Sequence, residues 1–514
     1  MPSGSWTQRD RLSLYAVVVA TAASLFWLSH SWFDASNDAA IYIQCARALL
    51  AGEGYTYLGE PFIIRPPGFS VLLMPVLAAR GVDFGALNLY VGVWGVACAA
   101  LFFVWARTRV TTWTALALTA LVWFNPGFAA LRSQVMSDVP GAALLFACLL
   151  LERWSARRRS IASDVVLGVA VALAAYVRSL CVVLVPAIVL ARLLERAPDA
   201  GAPAGPFGGD GGAARAPSAG WGARLLRIAP FVAAAVLVQL PWSLRNAAHH
   251  PEPPVDQTSL YDYSTGMWHA DRGDPASERL PLAKILERVP PRAEDLLVVF
   301  GSRMQAEDAT PARLTLGALF VLAIAWSAWR RRSSAELFAC GALGLVLPYF
   351  KFEDRLLLPV VVIGWTAAAE LLELAGRRVL GVARAPLGAI APVLVLLAID
   401  FHPRGNWDAV RTEHETYARW CQRLAGLLPQ DARVAVPIES WRYSIYLDRP
   451  VWTLFFGWNR GRGPAGAEAV IDRRKIDTVV ITPFTKSDGE MGPYFVQKYG
   501  IRMHEEGITI VRVR

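Results

Sequence analysis

Long apolar runs follow one another through most of this chain, and arginines gather at alternate breaks between them. Runs at 12–33, 84–106, 113–130, 135–151, 165–176, 180–194, 225–240, 314–329, 337–350, 356–374 and 387–399 approach the roughly 20 residues that cross a bilayer, so the sequence predicts about eleven transmembrane helices. Hydrophobic residues make up 54% of the 514 and charged residues only 18%, which excludes a soluble protein of this size. The formal charge of +9 comes largely from arginines in short connections, so its partner is the lipid bilayer and no nucleic acid is expected. Arg9 and Arg11, Arg107 and Arg109, Arg157 to Arg159, Arg192 and Arg196, Arg330 to Arg332, and Arg377 and Arg378 all fall on one side. The positive-inside rule makes that side the cytoplasm, with the amino terminus inside and the carboxyl terminus outside. The first run is longer than a signal-peptide core and lacks a small-residue cleavage site, so it reads as an uncleaved anchor.

Residues 1–400 form the expected membrane domain. It carries an extracytoplasmic loop at 34–67, a Gly/Ala/Pro-rich cytoplasmic linker at about 197–222 that cannot bury enough surface to fold, and a long, mostly polar outer loop at about 246–311. Residues 401–514 change character and predict a small extracytoplasmic α/β domain: a helix over 407–428, strands at 433–436, 478–481 and 508–513, and a helix between. The six cysteines show no disulfide or zinc spacing and read as small hydrophobes.

The loop at 34–67 lies where a membrane span ends and water begins. Ser36 or Asn37 can cap a helix whose first turn holds Asp38, and Tyr42, Cys45, Ala46, Leu49 and Leu50 give that helix one apolar face, as expected of a helix lying on the membrane surface. Gly52-Glu53-Gly54 stops it, Arg65 follows, and Pro66-Pro67-Gly68 turns the chain back into an apolar run. An acid and a base are thus held at the lipid boundary. An aspartate in a first helical turn is also favoured by the helix dipole alone, so its position leaves a structural and a chemical reading open.

Charges near a membrane are costly and call for a reason. Asp138 opens the fourth run after Ser137 and before Pro140, as a charge aimed at a ligand or simply as a good helix start. Arg178, Arg245 and Arg355 each end a run on the same outer side as Asp38. A guanidinium keeps its charge and binds two phosphate oxygens at once, and it also snorkels to interfaces without any ligand. The seven histidines lie at or beyond the outer boundary without ligand spacing, and no metal or other cofactor is expected.

Three stretches carry a resemblance: Asp38-Ala39-x-x-Tyr42, Ala48-Leu49-x-x-Gly52-x-Gly54-Tyr55 and Arg65-Pro66-Pro67-Gly68. They resemble the first outer loop of GT-C glycosyltransferases, specifically bacterial relatives of the protein O-mannosyltransferases and the lipid A aminoarabinose transferases. The resemblance implies an enzyme of the bacterial cytoplasmic membrane that moves a sugar from a polyprenyl-phosphate donor to a glycan, lipid or protein acceptor on the outer face. It implies Asp38 as the catalytic acid-base residue, Asp138 as a second catalytic acid facing the donor, and Arg65, Arg178, Arg245 and Arg355 as phosphate-binding candidates. Relatives often carry Lys at the position of Arg65, and the O-mannosyltransferases have a second acid where this chain has Ala39. Two other classes compete: a transporter or flippase of lipid-linked sugars, and a non-catalytic scaffold of envelope assembly. A transporter concentrates its charges near mid-membrane, whereas here the motifs sit at outer ends of the runs.

Overall fold

Among the described residues up to 399, the long apolar runs form helices, because backbone groups removed from water must bond within their own segment. The computed structural model describes residues 6–34, 36–194, 221–249, 263–270, 277–302, 309–349, 353–399, 407–454, 463–482, 491–505 and 508–514. The linker expected at 197–222 lies outside them except for its last two residues, which already open the helix Trp221–Ala248. Part of the long outer loop, with His250, and His402 also lie outside them.

Two compact units are each assembled from separate stretches: Met1–His30, Gly85–Leu244 and Glu287–Gly405 in the first, Ser31–Phe84, Arg245–Leu286 and Asn406–Arg514 in the second. Among the described residues, six helices are long and apolar enough to cross a membrane: Gln8–Leu28, Phe84–Arg107, Asp138–Arg158, Arg224–Ala248, Pro311–Arg331 and Asp354–Leu380. A seventh is the pair Thr112–Phe124 and Pro126–Arg132, bent by 65° where Asn125 ends one helix and caps the next. The chain is a multi-pass membrane protein. The remaining expected spans are present as shorter apolar helices, Ile161–Val177, Ser179–Leu193, Ser334–Val346 and Ala385–Ala398, so length and composition support fewer crossings than the eleven expected. The first helix also ends sooner than its apolar run, at Leu28, where Ser29 turns extended.

Charges at the arginine-rich ends of the first unit are consumed in pairs. Arg107 meets Asp10, which also accepts from Thr112; Arg109 meets the buried Glu336; Arg192 meets Asp164 at 2.7 Å; Arg331 meets Glu370 at 2.5 Å. Glu373 accepts from the backbone and hydroxyl of Thr111, at 3.0 and 2.7 Å. Breaking such a buried pair from one side costs roughly 3–5 kcal/mol, so these groups hold helices in register.

The second unit folds the outer loop together with the tail. The helix Asn37–Leu50 differs from the one-sided surface helix expected: Ala39, Ala40, Ile41 and Ile43 are as buried as Cys45 and Ala46, whereas Leu50 is 41% exposed. It packs on the helix Gly68–Arg80, on strand β1 (Thr56–Tyr57) and on the helix Ser440–Tyr446 from the tail, so protein covers its faces. β1 pairs with β2 (Glu60–Pro61) around Leu58 and Gly59, both left-handed with φ of 53° and 82°, a two-residue turn of the type that matches strand twist. Leu58 packs against the core that also holds Trp452, Val479 and Phe495, and Arg474 pairs with Glu60.

In the tail, β3 (Val434–Val436), β4 (Val451–Thr453), β5 (Thr478–Ile481), β6 (Met503–Glu505) and β7 (Ile508–Arg512) form one sheet in the order β4-β3-β5-β7-β6. β4, β3 and β5 run parallel, and β7 is antiparallel to both β5 and β6. The expected strands and the helix Trp407–Leu427 are present, but β4 and β6 were not expected, and three helices stand between strands where one was read: Ser440–Tyr446, Gly463–Arg474 and Met491–Tyr499.

Candidate functional site

Asp38 owes its position to local sequence. Ser36 is extended and its Oγ accepts from the Ala39 amide at 3.1 Å, which fixes the helix start and places Asp38 at the positive end of the dipole. A cap of this kind stabilises a helix by about 1 kcal/mol. Arg65, at the far end of the loop, donates from Nη2 to Oδ1 of Asp38 and lies 6.0 Å from the centre of the Tyr42 ring. The Tyr55 hydroxyl donates to the carbonyl of Arg65 at 3.0 Å and so ties down the residue that carries the cation.

Arg245 belongs to the same unit, and its guanidinium is turned to backbone. Nη1 donates to the Phe62 carbonyl at 2.8 Å and Nη2 to the Tyr55 carbonyl at 2.7 Å, while Asn246 donates to the Ile63 carbonyl at 3.0 Å. These bonds clamp the stretch that leads to Arg65. Burial pushes the Cys45 thiol and the Tyr55 and Tyr57 hydroxyls up, so all three stay neutral beside the ion pair.

A second cluster forms in the first unit. The Asp138 side chain is fully buried; Nη2 of Arg178 stands 2.8 Å from Oδ1 and Nη1 of Arg355 3.8 Å from Oδ2, neither in hydrogen-bond alignment. Gly141 makes the approach possible, since a Cβ there would come within 2.7 Å of the Arg178 side chain. Arg178 donates to the Arg355 carbonyl at 3.4 Å, and Arg355 donates through Nε to Glu353 at 2.5 Å. Asp354 accepts from the backbone amide of Arg355 at 2.8 Å. Two guanidinia therefore stand among three carboxylates. An anion reaching Arg355 would compete with Glu353, which stands beside it in the Glu353-Asp354-Arg355 run but is not among the sequence candidates.

The six candidates thus fall into two groups, Asp38 with Arg65 and Arg245, and Asp138 with Arg178 and Arg355. Each described histidine has a local partner: His30 with Asn88, His249 with the Arg245 carbonyl, His269 with the Ser277 carbonyl, His414 with Tyr446, and His504 with Thr509.

No family model matches the sequence, and no curated protein matches it. Solved structures do. ArnT from Cupriavidus metallidurans, crystallised with undecaprenyl phosphate, superposes with a TM-score of 0.56 over 97% of both chains at 14% identity. The same protein in its apo state gives a TM-score of 0.58 over 97% of this chain and 96% of that one, at 13% identity. The chain has the GT-C fold. The archaeal oligosaccharyltransferase AglB from Archaeoglobus fulgidus, solved with an inhibitory peptide and a dolichol-phosphate, gives a TM-score of 0.53 at 12% identity, over 93% of this chain and 70% of that one. The expectation of a GT-C fold drawn from three loop motifs is met across nearly the whole length, tail included.

Proposed function

We propose that this GT-C chain is a glycosyltransferase that moves a hexose or pentose from a polyprenyl-phosphate carrier to a hydroxyl acceptor on a glycolipid, polysaccharide or protein. The reaction takes place at the outer face of the bacterial cytoplasmic membrane, with the amino terminus inside and the carboxyl terminus outside. The observation that carries this reading is the Asp38 carboxylate on a capped, buried first turn, paired with Arg65 inside a chain of this fold. The likeness to ArnT solved with undecaprenyl phosphate supports a lipid-phosphate donor.

Asp38 acts as general base. It takes the acceptor proton as the acceptor oxygen bonds to the anomeric carbon, and the bond from that carbon to the carrier phosphate breaks with its electron pair leaving on phosphate. One displacement inverts the anomeric centre. Within the second unit Arg65 pairs with Asp38 and Arg245 holds the loop; within the first unit Arg178 and Arg355 are the phosphate-binding candidates, with Asp138 between them as the second acid. General base catalysis contributes roughly 100- to 10,000-fold, the scale on which Asp38 is to be judged.

Mass spectrometry of envelope glycans and glycolipids from a deletion strain tests the reading, with complementation by the wild-type gene. One sugar disappears in the deletion and returns on complementation. An unchanged glycan inventory contradicts a transferase. Reporter fusions after Arg159 and Arg332 read cytoplasm and fusions after His269 and Arg514 read the outer side.

A further inference from the structure

Five arginines line a cavity of about 240 Å³ in the first unit, near the opposite end of the helix Asp138–Arg158 from Asp138. Its walls are the last turns of Asp138–Arg158, Leu184–Leu193 and Pro311–Arg331 and the beginning of Trp221–Ala248. Arg192, Arg227, Arg330, Arg331 and Arg332 face it, with Glu152 as the one carboxylate among the lining residues. Asp164 offsets Arg192 and Glu370 offsets Arg331, so with Glu152 counted the site keeps a surplus of two positive charges. Arg330 reaches Glu370 only at 4.0 Å.

The rest of the lining is apolar or small: Ala156, Ala191, Leu194 and Ser333. Immediately beside the arginines in sequence stand exposed apolar side chains, Leu226 next to Arg227 at 76% and Trp329 next to Arg330 at 74%. Arg332 lies 5.8 Å from the Trp329 ring and Arg330 5.3 Å from the Trp326 ring. Guanidinia that converge on a small cavity, flanked by exposed aromatic and aliphatic groups on membrane helices, suit a phosphate with acyl chains attached. A free ion has no use for the apolar flank.

We infer that this cavity binds the phosphate of an anionic phospholipid head group, with the acyl chains laid along Leu226 and Trp329. The pocket lies where the arginine clusters place the anionic inner leaflet. Bound there, the lipid joins four helix ends, of which Leu184–Leu193 already reaches Trp221–Ala248 and Asp138–Arg158 through Arg192, which donates to the Arg227 carbonyl at 3.1 Å and to the Ser155 hydroxyl at 3.2 Å. The inference is independent of the transferase reading.

Native mass spectrometry of the purified full-length protein tests it, with cardiolipin, phosphatidylglycerol, phosphatidylethanolamine or inorganic phosphate added separately. The wild-type protein retains cardiolipin or phosphatidylglycerol in preference to phosphatidylethanolamine. Arg227, Arg330 and Arg332 are the residues to change, because Arg192 and Arg331 support the fold. At about fivefold per arginine, the R227Q/R330Q/R332Q protein binds the anionic lipid roughly 100-fold more weakly. Should that protein not survive purification, the single R332Q variant, at a helix terminus, gives the fivefold step, and the R330K/R332K protein retains binding. Equal retention of anionic lipid by wild type and the glutamine variants overturns the proposal. So does inorganic phosphate binding to the wild type with no preference among the three lipids, which would assign the cavity to a free ion.

Discussion

Arg65 donates to the carboxylate of Asp38 across 27 residues of loop, and the two side chains are only 15% and 16% exposed. The pair explains why the loop is clamped so heavily around Arg65, by Tyr55 on its carbonyl and by Arg245 on the segment before it. A cation beside a carboxylate favours the ionised form, which is the form a general base needs.

Replacing Arg65 by Met removes the cation that favours the ionised carboxylate. The acid limb of the pH–rate profile moves to higher pH, and activity at neutral pH falls more than activity at alkaline pH. Arg65→Lys keeps the limb near its wild-type position. A pH–rate profile for the three proteins checks this; superimposed acid limbs would separate Arg65 from Asp38 in function.

Arg355 donates through Nε to Glu353 at 2.5 Å, so on the proposed reading a donor phosphate has to compete with that carboxylate. Arg355→Ala weakens binding of a polyprenyl-phosphate analogue more than Arg355→Lys, since Lys keeps the charge but loses the planar fork. Glu353→Gln, which releases Arg355, tightens it. Equal affinity in all four proteins removes Arg355 from phosphate recognition.

Gly141 gives Arg178 the room to reach Asp138. Gly141→Ala forces the arginine side chain aside at a cost of about 1–3 kcal/mol, the usual range for overpacking. Donor affinity and thermal stability fall together, while the rate at saturating donor changes less. Titrating donor in a transfer assay separates the two effects.

His414 sits among Phe84, Tyr446 and the backbone of Phe33, whose amide donates to its Nδ1 at 3.2 Å. Burial lowers its pKa from 6.5, opposed by Glu415 nearby. The unfolded chain therefore binds the proton more readily than the folded one, and stability present above about pH 6.5 is lost as pH falls below it. Thermal unfolding of the protein between pH 8 and pH 5 shows the decline, and His414→Asn makes that part of the curve flatter.

The membrane fold was legible because apolar runs and arginine clusters repeat over hundreds of residues and report one physical constraint many times. Three loop motifs were enough to anticipate the GT-C fold. Short elements were only partly legible: the three-residue β3 lies in the strand expected at 433–436, whereas β4 and β6, equally short, gave no alternation that registered. Sequence also misread the Asn37–Leu50 helix. Helical periodicity shows one apolar face, but Ala39, Ala40, Ile41 and Ile43 are covered by the helix Gly68–Arg80 and by Ser440–Tyr446, which is some 400 residues away in the chain. Arg245 shows the limit for charges. Its place at a span end predicts a phosphate contact or an interfacial position equally well, and only the carbonyls of Tyr55 and Phe62 show how its donors are used.

The most direct test is turnover of Asp38→Asn, which keeps the size of the side chain and its place on the capped first turn while removing the base. With donor and acceptor supplied to the purified proteins, transfer by the Asn variant is expected to fall by roughly 100- to 10,000-fold, with binding of a polyprenyl-phosphate analogue largely retained. Transfer at a near wild-type rate would contradict Asp38 as the base.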